Sequence, residues 1–310
     1  MKRRLSCFLP LVLGLCGLAA DLFAQDGATP TLSVMLVPSD GGTEDGTRDD
    51  WQPLFDALSR HSGYNFDIRV GQSYASVVEA IAAGRIDIAY MGTVSYLLAR
   101  ERGPVEVLAI GEMEGGAFYY SGLFTLIDSP VKTVADLRGR SLALTDPGSS
   151  SGFVYPLNIL FSEGVNPERD LSHLMITGSH ANSLNALIQG HVDVAASPFE
   201  SYIRAVRQGV VDPRRVRILA KSDPIPNPPL VVSGRVDAGV RQHLRETLHN
   251  LHTLPGVTPN MLRGHAGRLV ERYNAEVPEE VFTLALENMD RVDDATRDAL
   301  MRKAAERRRR

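Results

Sequence analysis

From residue 32 onward, short apolar runs rich in aliphatic residues alternate with longer stretches in which apolar positions return every three or four residues. The short runs at 32–37, 66–70, 87–90 and 105–110 predict strands, and the stretches at 51–60, 74–83 and 95–102 predict helices between them. After residue 112 the pattern shifts, and Gly115-Gly116-Ala117-Phe118-Tyr119-Tyr120 leads into an apolar run at 121–126. A second alternation follows, with strands expected at 141–144, 174–177, 192–195 and 217–220 and helices at 150–162, 182–189 and 199–208. The stiff segment Pro224-Ile225-Pro226-Asn227-Pro228-Pro229 then returns the chain to a strand at 230–233 and a helix at 237–251. Repeated βα units predict an α/β fold, each half a mostly parallel sheet flanked by helices. Two crossings, near Gly115 and Ser222, divide it into a first lobe of residues 25–115 with 222–310 and a second of 116–221, the layout of a hinged clamp. Pro156, inside the 150–162 helix, predicts a kink or a short irregular first turn.

The chain begins Met1-Lys2-Arg3-Arg4, continues through an apolar block at 8–20, and reaches Ala24 before the polar residues that follow. This predicts a signal peptide over residues 1–24, and hence export to the periplasm. The block is shorter than the roughly 20 apolar residues a membrane span requires. Both cysteines, Cys7 and Cys16, fall inside the predicted signal peptide, so the mature chain is expected to have no thiol, disulfide or cysteine-metal site to offer. A formal net charge of −4 and 44% hydrophobic residues suit an ordinary globular protein. The dense basic run Arg307 to Arg310 is terminal and lacks interleaved aromatics, so no nucleic-acid partner is expected.

Candidate chemistry concentrates in Thr145-Asp146-Pro147-Gly148-Ser149-Ser150-Ser151-Gly152, between a predicted strand and a predicted helix. Pro147 ends the ladder, Gly148 permits a positive φ, and three serines set hydroxyls beside the N–H groups that a helix start leaves without intrahelical acceptors. The stretch reads either as an ordinary N-cap or as an oxyanion cradle. Residues 141–162 contain no Lys or Arg, so an anion there is met by neutral donors and the helix dipole, which suits reversible capture better than catalysis. Gly92-Thr93-Val94-Ser95 forms a second, smaller turn of the same kind, with Thr93 or Ser95 as donor or cap. Asp193, on a predicted strand, reads as structural.

The motifs Ile86-Asp87-Ile88-Ala89-Tyr90-Met91-Gly92, Asp146-Pro147-Gly148-Ser149-Ser150-Ser151-Gly152, Gly178-Ser179-His180 and Val192-Asp193-Val194-Ala195, in this order, resemble the phosphonate/phosphite-binding periplasmic proteins of ABC importers. The likeness runs from about residue 32 to about 233, and nothing is carried over beyond residue 250. It implies a two-lobed periplasmic-binding-protein fold of type II, a monomer that clamps a small phosphorus oxyanion in its cleft and delivers it to an ABC permease and its ATPase in the inner membrane. It implies no cofactor, metal or catalytic residue. Its anion contacts correspond here to Ser149, Ser150, Ser151 and His180, and its cleft-closing tyrosines to Tyr74 and Tyr119, with Tyr90 alongside. Glu200 stands where aminophosphonate binders reach the ligand's ammonium, but the expected acidic companion is Pro228 here, so both 2-aminoethylphosphonate and phosphite stay open, with a lean to the former. Two other readings keep their place: a receptor for phosphate, sulfonate or another small anion, and an exported phosphorus-ester hydrolase using the serine turn with His180 as base.

Overall fold

The computed structural model describes residues 29–39, 44–113 and 116–306; the expected signal peptide, Gly115 and the basic tail lie outside them. The chain opens with β1 (Thr31–Leu36), α1 (Glu44–Ser62), β2 (Asn65–Val70), α2 (Tyr74–Ala82), β3 (Ile88–Tyr90), α3 (Thr93–Arg102) and β4 (Val105–Glu112). It crosses through β5 (Phe118–Tyr119) into β6 (Ser121–Leu126), then forms β7 (Ser141–Leu144), α4 (Tyr155–Ser162), α5 (Pro167–Asp170) and β8 (His173–Ile176). α6 (His180–Ile188), β9 (Val194–Pro198), α7 (Phe199–Arg207) and β10 (Val216–Lys221) follow, and β11 (Ile225–Pro226) leads back to β12 (Pro229–Ser233) and α8 (Ala238–Asn250). Past the last expected helix come β13 (Arg272–Asn274), α9 (Thr283–Arg291) and α10 (Asp294–Glu306).

Among the described residues the strands make two main sheets, ordered β2-β1-β3-β12-β4-β13 and β8-β7-β9-β6-β10, with the crossing segments paired as β5-β11. Each sheet is flanked by helices and admits one strand that a crossing delivers, β12 in the first and β6 in the second. These two strands run against the βα strands around them, so β12 pairs antiparallel with β3 and β4, and β6 with β9 and β10. Parallel pairing is confined to β2-β1-β3 and β8-β7-β9. The sheets are therefore mixed rather than mostly parallel, because hydrophobic periodicity reports which residues are buried and not the direction in which a strand runs.

The same device registers both sheets. Asp87 Oδ2 accepts from Ser33 N–H and from the Ser33 hydroxyl, both at 2.8 Å. Asp193 Oδ2 accepts from Ser141 N–H at 2.8 Å and from the Ser141 hydroxyl at 2.6 Å, the structural role read for it from sequence. Hydrogen bonds to a charged group contribute about 1.5–3 kcal/mol each, so a half-buried acid just before a central strand is a strong register pin.

Two elements depart from their expected extent. α1 starts at Glu44, before the apolar periodicity begins, because Glu44 and Asp45 favour a helix N-terminus through the dipole instead of through burial. α10 lies against β8 and α5, where Lys303 Nζ donates to Glu168 O at 2.6 Å. Residues 294–306 thus sit on the side of the second sheet, a placement the 222–310 grouping does not foresee. No helix among the described residues is long and apolar enough to cross a membrane.

Candidate functional site

The serine turn leaves β7 at the edge where the two sheets face each other. Asp146 organises it: its carboxylate accepts from Gly148 N–H and its carbonyl from Ser149 N–H, each at 2.8 Å. Ser149 Oγ in turn accepts from Gly152 N–H at 3.0 Å as the helix cap. The helix opens as a wide π turn (Ser150–Val154) before α4, which places Pro156 in the first α turn where its missing donor costs nothing. This is the irregular start expected from that proline. Gly148, by contrast, does not take a positive φ. Space selects glycine there, since a Cβ would stand 3.2 Å from Tyr74 Cβ and 3.3 Å from Ser95 Oγ.

His180 begins α6. Its Nδ1 lies 3.1 Å from Thr145 Oγ1, and its backbone N–H donates to Ser39 O at 2.8 Å, across the cleft. A second bond across the cleft joins the serine turn to α3, Val94 N–H donating to Ser150 Oγ at 2.9 Å. A third joins Ser95 Oγ, as donor, to Gly148 O at 2.8 Å.

Ser149, Ser150, Ser151, His180, Tyr74, Tyr90 and Tyr119 all line one small cavity between the sheets, and each is at most 5% exposed. Among the described residues no Lys or Arg lines it. The polar side chains of its lining are serine and tyrosine hydroxyls and imidazoles. Electrostatically the turn holds one acid of its own: burial keeps the Asp146 carboxyl above the ordinary aspartate range, opposed by the weaker pull of the Gly148 N–H.

Thr93 is not brought to this cavity. Its buried hydroxyl donates to Pro226 O at 2.9 Å, tying α3 to β11, while the backbone on either side of it, Gly92 and Val94, faces the serine turn. Glu200 lines a small adjoining chamber that shares Tyr90, Tyr119, Pro228 and His265 with the cradle cavity. There Glu200 Oε1 accepts from Arg268 Nη1 at 3.0 Å.

Sequence reasoning missed three residues. Ser39 and His265 line the cradle cavity, and Arg268 lines the chamber. The His265 ring lies 5.5 Å from that of Tyr119 and 5.7 Å, edge-on, from that of His180. The only local sign is a histidine flanked by small residues in Gly264-His265-Ala266-Gly267, and nothing in that spacing points to the cleft.

Comparison with known proteins follows the same line. The model of a family described as ABC transporter, phosphonate, periplasmic substrate-binding protein matches residues 36–266. The phosphate-import protein PhnD of Mycolicibacterium smegmatis is 29% identical over 212 residues, 64% of this chain and 65% of that protein. The phosphonates-binding periplasmic protein of Escherichia coli is 26% identical over 186 residues, 58% of this chain and 55% of that protein. The matched part thus spans less than two thirds of either relative. A binding protein component of an ABC phosphonate transporter from Pseudomonas aeruginosa superimposes with a TM-score of 0.73 at 20% identity, over 90% of this chain and 97% of that one. PhnD1 from Prochlorococcus marinus, solved in complex with methylphosphonate, gives 0.72 at 14% identity, over 86% and 99%. At these identities the likeness establishes the periplasmic-binding-protein fold.

Proposed function

The chain belongs to the family of periplasmic phosphonate substrate-binding proteins of ABC transporters, and from that membership we propose that it captures a phosphonate or phosphite in the periplasm and delivers it to a permease and its ATPase. One observation carries the reading. The serine turn, His180 and the tyrosines 74, 90 and 119 converge from both sheets on one buried cavity without a Lys or Arg in its walls. Neutral donors hold a dianion firmly enough for capture and loosely enough for release. The adjoining chamber, walled by Tyr90, Tyr119, Met113, Pro228 and Val270, suits the carbon substituent of a phosphonate better than a fourth phosphate oxygen. Phosphate, which the Mycolicibacterium relative is named for, and sulfonates are the competing ligands.

The protein works as a monomer whose lobes, the first built on β1–β4 and β12 and the second on β6–β10 with α10 against it, close about the crossings that contain β5 and β11. Ligand drives closure only if it touches both sides. The second lobe supplies the serines and His180, the first Tyr74 and Tyr90. A hydrolase would pair His180 with a serine of the turn as its base. The His180 Nδ1 contact with Thr145 instead gives that nitrogen a positioning partner.

Thermal shift with methylphosphonate, phosphite, phosphate and methanesulfonate tests the reading, since a ligand at 100 times its Kd adds about 2.7 kcal/mol of stability. Methylphosphonate or phosphite should shift the transition most. Scattering on the same samples should give a monomer mass and a smaller radius of gyration with ligand. A larger shift with phosphate or methanesulfonate, or an unchanged radius at saturation, overturns it.

A further inference from the structure

Taking the receptor reading as its basis, we propose that Arg268 decides which phosphonate this cleft accepts: paired with Glu200, it makes the chamber beside the cradle a site for a short tail ending in an uncharged hydroxyl, and not in an ammonium. The chamber lies next to the cradle, with Tyr90, Tyr119, Pro228 and His265 common to both linings, so it is the adjoining space for a substituent on an anion seated at the serine turn. Most of its wall is carbon. Two polar atoms of its lining residues are buried without a hydrogen-bond partner, Glu200 Oε2 and His265 Nε2. The Glu200 side chain is 11% exposed, and its other oxygen is already bound to Arg268. A buried acceptor and a buried imidazole nitrogen left unmatched call for a ligand group that completes them.

An ammonium and a hydroxyl complete them differently. Beside a lone buried carboxylate an ammonium would be strongly favoured. Here the half-exposed guanidinium of Arg268 sits on the same carboxylate and offsets its charge, so an incoming ammonium must shed its water for a weakened attraction. A hydroxyl is cheaper to dehydrate. It also donates to Glu200 Oε2 while accepting from His265 Nε2–H, or donates to either atom, whereas an ammonium only donates.

Arg268 is held in place by its loop. Gly264 N–H donates to Arg268 O at 2.7 Å, and Val270 N–H to Leu262 O at 3.0 Å. Arg204 of α7, itself ion-paired with Asp50 at 2.8 Å, donates to Ala266 O at 3.0 Å. Ala266 at φ 58 and Gly267 at φ 68 turn the loop so that His265 and Arg268 both reach the chamber. Sequence alone puts an acid at 200 and invites an aminophosphonate; the loop changes what that acid can recognise.

Calorimetry on the full chain decides it with three ligands that share a head group: methylphosphonate, 2-hydroxyethylphosphonate and 2-aminoethylphosphonate. The wild type should bind the hydroxyethyl ligand about tenfold or more tighter than the aminoethyl one. In Arg268→Gln the ratio of aminoethyl to hydroxyethyl affinity, in which any general loss cancels, should rise at least about tenfold. Arg268→Lys, which keeps the charge, should hold the wild-type order. Tighter wild-type binding of the aminoethyl ligand, or an unchanged ratio in Arg268→Gln, overturns the inference while methylphosphonate binding leaves the receptor reading standing. Binding of none of the three by the wild type removes both.

Discussion

The two walls of the cleft are built on opposite plans. On the side of the second sheet, the serine turn arranges neutral donors within a few residues of one another, capped and braced by its own backbone. On the other side, the loop at 262–270 brings a cation to an acid 68 residues away in the chain and an imidazole to the rim of the cradle. On the proposed reading the first wall fixes what the head group must be, and the second selects what may be attached to it. The neutral wall has little freedom, because its shape is set by close packing, while the charged wall can change its preference by one substitution.

Breaking the first wall should have the largest effect. Gly152 is locked between Thr145 and Ser149: an added Cβ would meet Thr145 Oγ1 at 2.2 Å, Thr145 Cβ at 2.5 Å and Ser149 Oγ at 2.9 Å. Thr145 cannot retreat, since its N–H donates to Gly152 O at 2.9 Å and its hydroxyl holds His180. Gly152→Ala should therefore cost about 1–3 kcal/mol of stability by overpacking and weaken methylphosphonate binding more than about a hundredfold. Urea melts and calorimetry check both, and a variant that binds normally would mean that the turn is not part of the site.

Ser150→Ala sharpens the contrast at smaller cost. It removes the acceptor for Val94 N–H, a bond between the lobes, together with one hydroxyl of the cradle. The loss should be about 1.5–3 kcal/mol in binding, or ten- to a hundredfold in Kd, with the backbone donors surviving. Ser151→Ala should behave alike. If both bind methylphosphonate like the wild type, the turn is only a helix cap, and recognition lies with the other wall.

Legibility followed the same divide. Strands, helices and the serine turn are local: Pro147, Gly148 and three serines announce a strand end and a helix start within one stretch, and Pro156 announces the irregular π turn. His180 and the tyrosines were read through resemblance, and the fold then brought them to one cavity. What stayed hidden depends on geometry between distant segments. The antiparallel run of β6 and β12 follows from where the crossings enter the sheets, not from hydrophobic periodicity. Thr93 looked like a donor because it opens a helix, yet Pro226 claims its hydroxyl. His265 and Arg268 sit past the point where any motif could be followed, and only the closed loop brings them to the cleft.

The neutral wall has one exception, and its pH behaviour is the finest test of the comparison. Burial holds the Asp146 carboxyl above the ordinary aspartate range, with the Gly148 N–H opposing. For an acid whose pKa is raised on folding, the stabilising contribution is fully present below the unfolded value and is lost as pH rises through the folded one. Above that point the native protein carries a desolvated charge beside the proposed anion site. Asp146→Asn carries no such charge, and its side-chain carbonyl can still accept from Gly148 N–H, so its effect should be the smallest of the three. Relative to the wild type, the variant should be no more stable in acid and gain as pH rises through the raised value, with methylphosphonate affinity at neutral pH equal or improved. Thermal melts of both proteins across that window measure it. A stability difference that stays flat with pH, or that turns against the variant as pH rises, would show that Asp146 is charged at no cost and that the cradle is less dry than its packing implies.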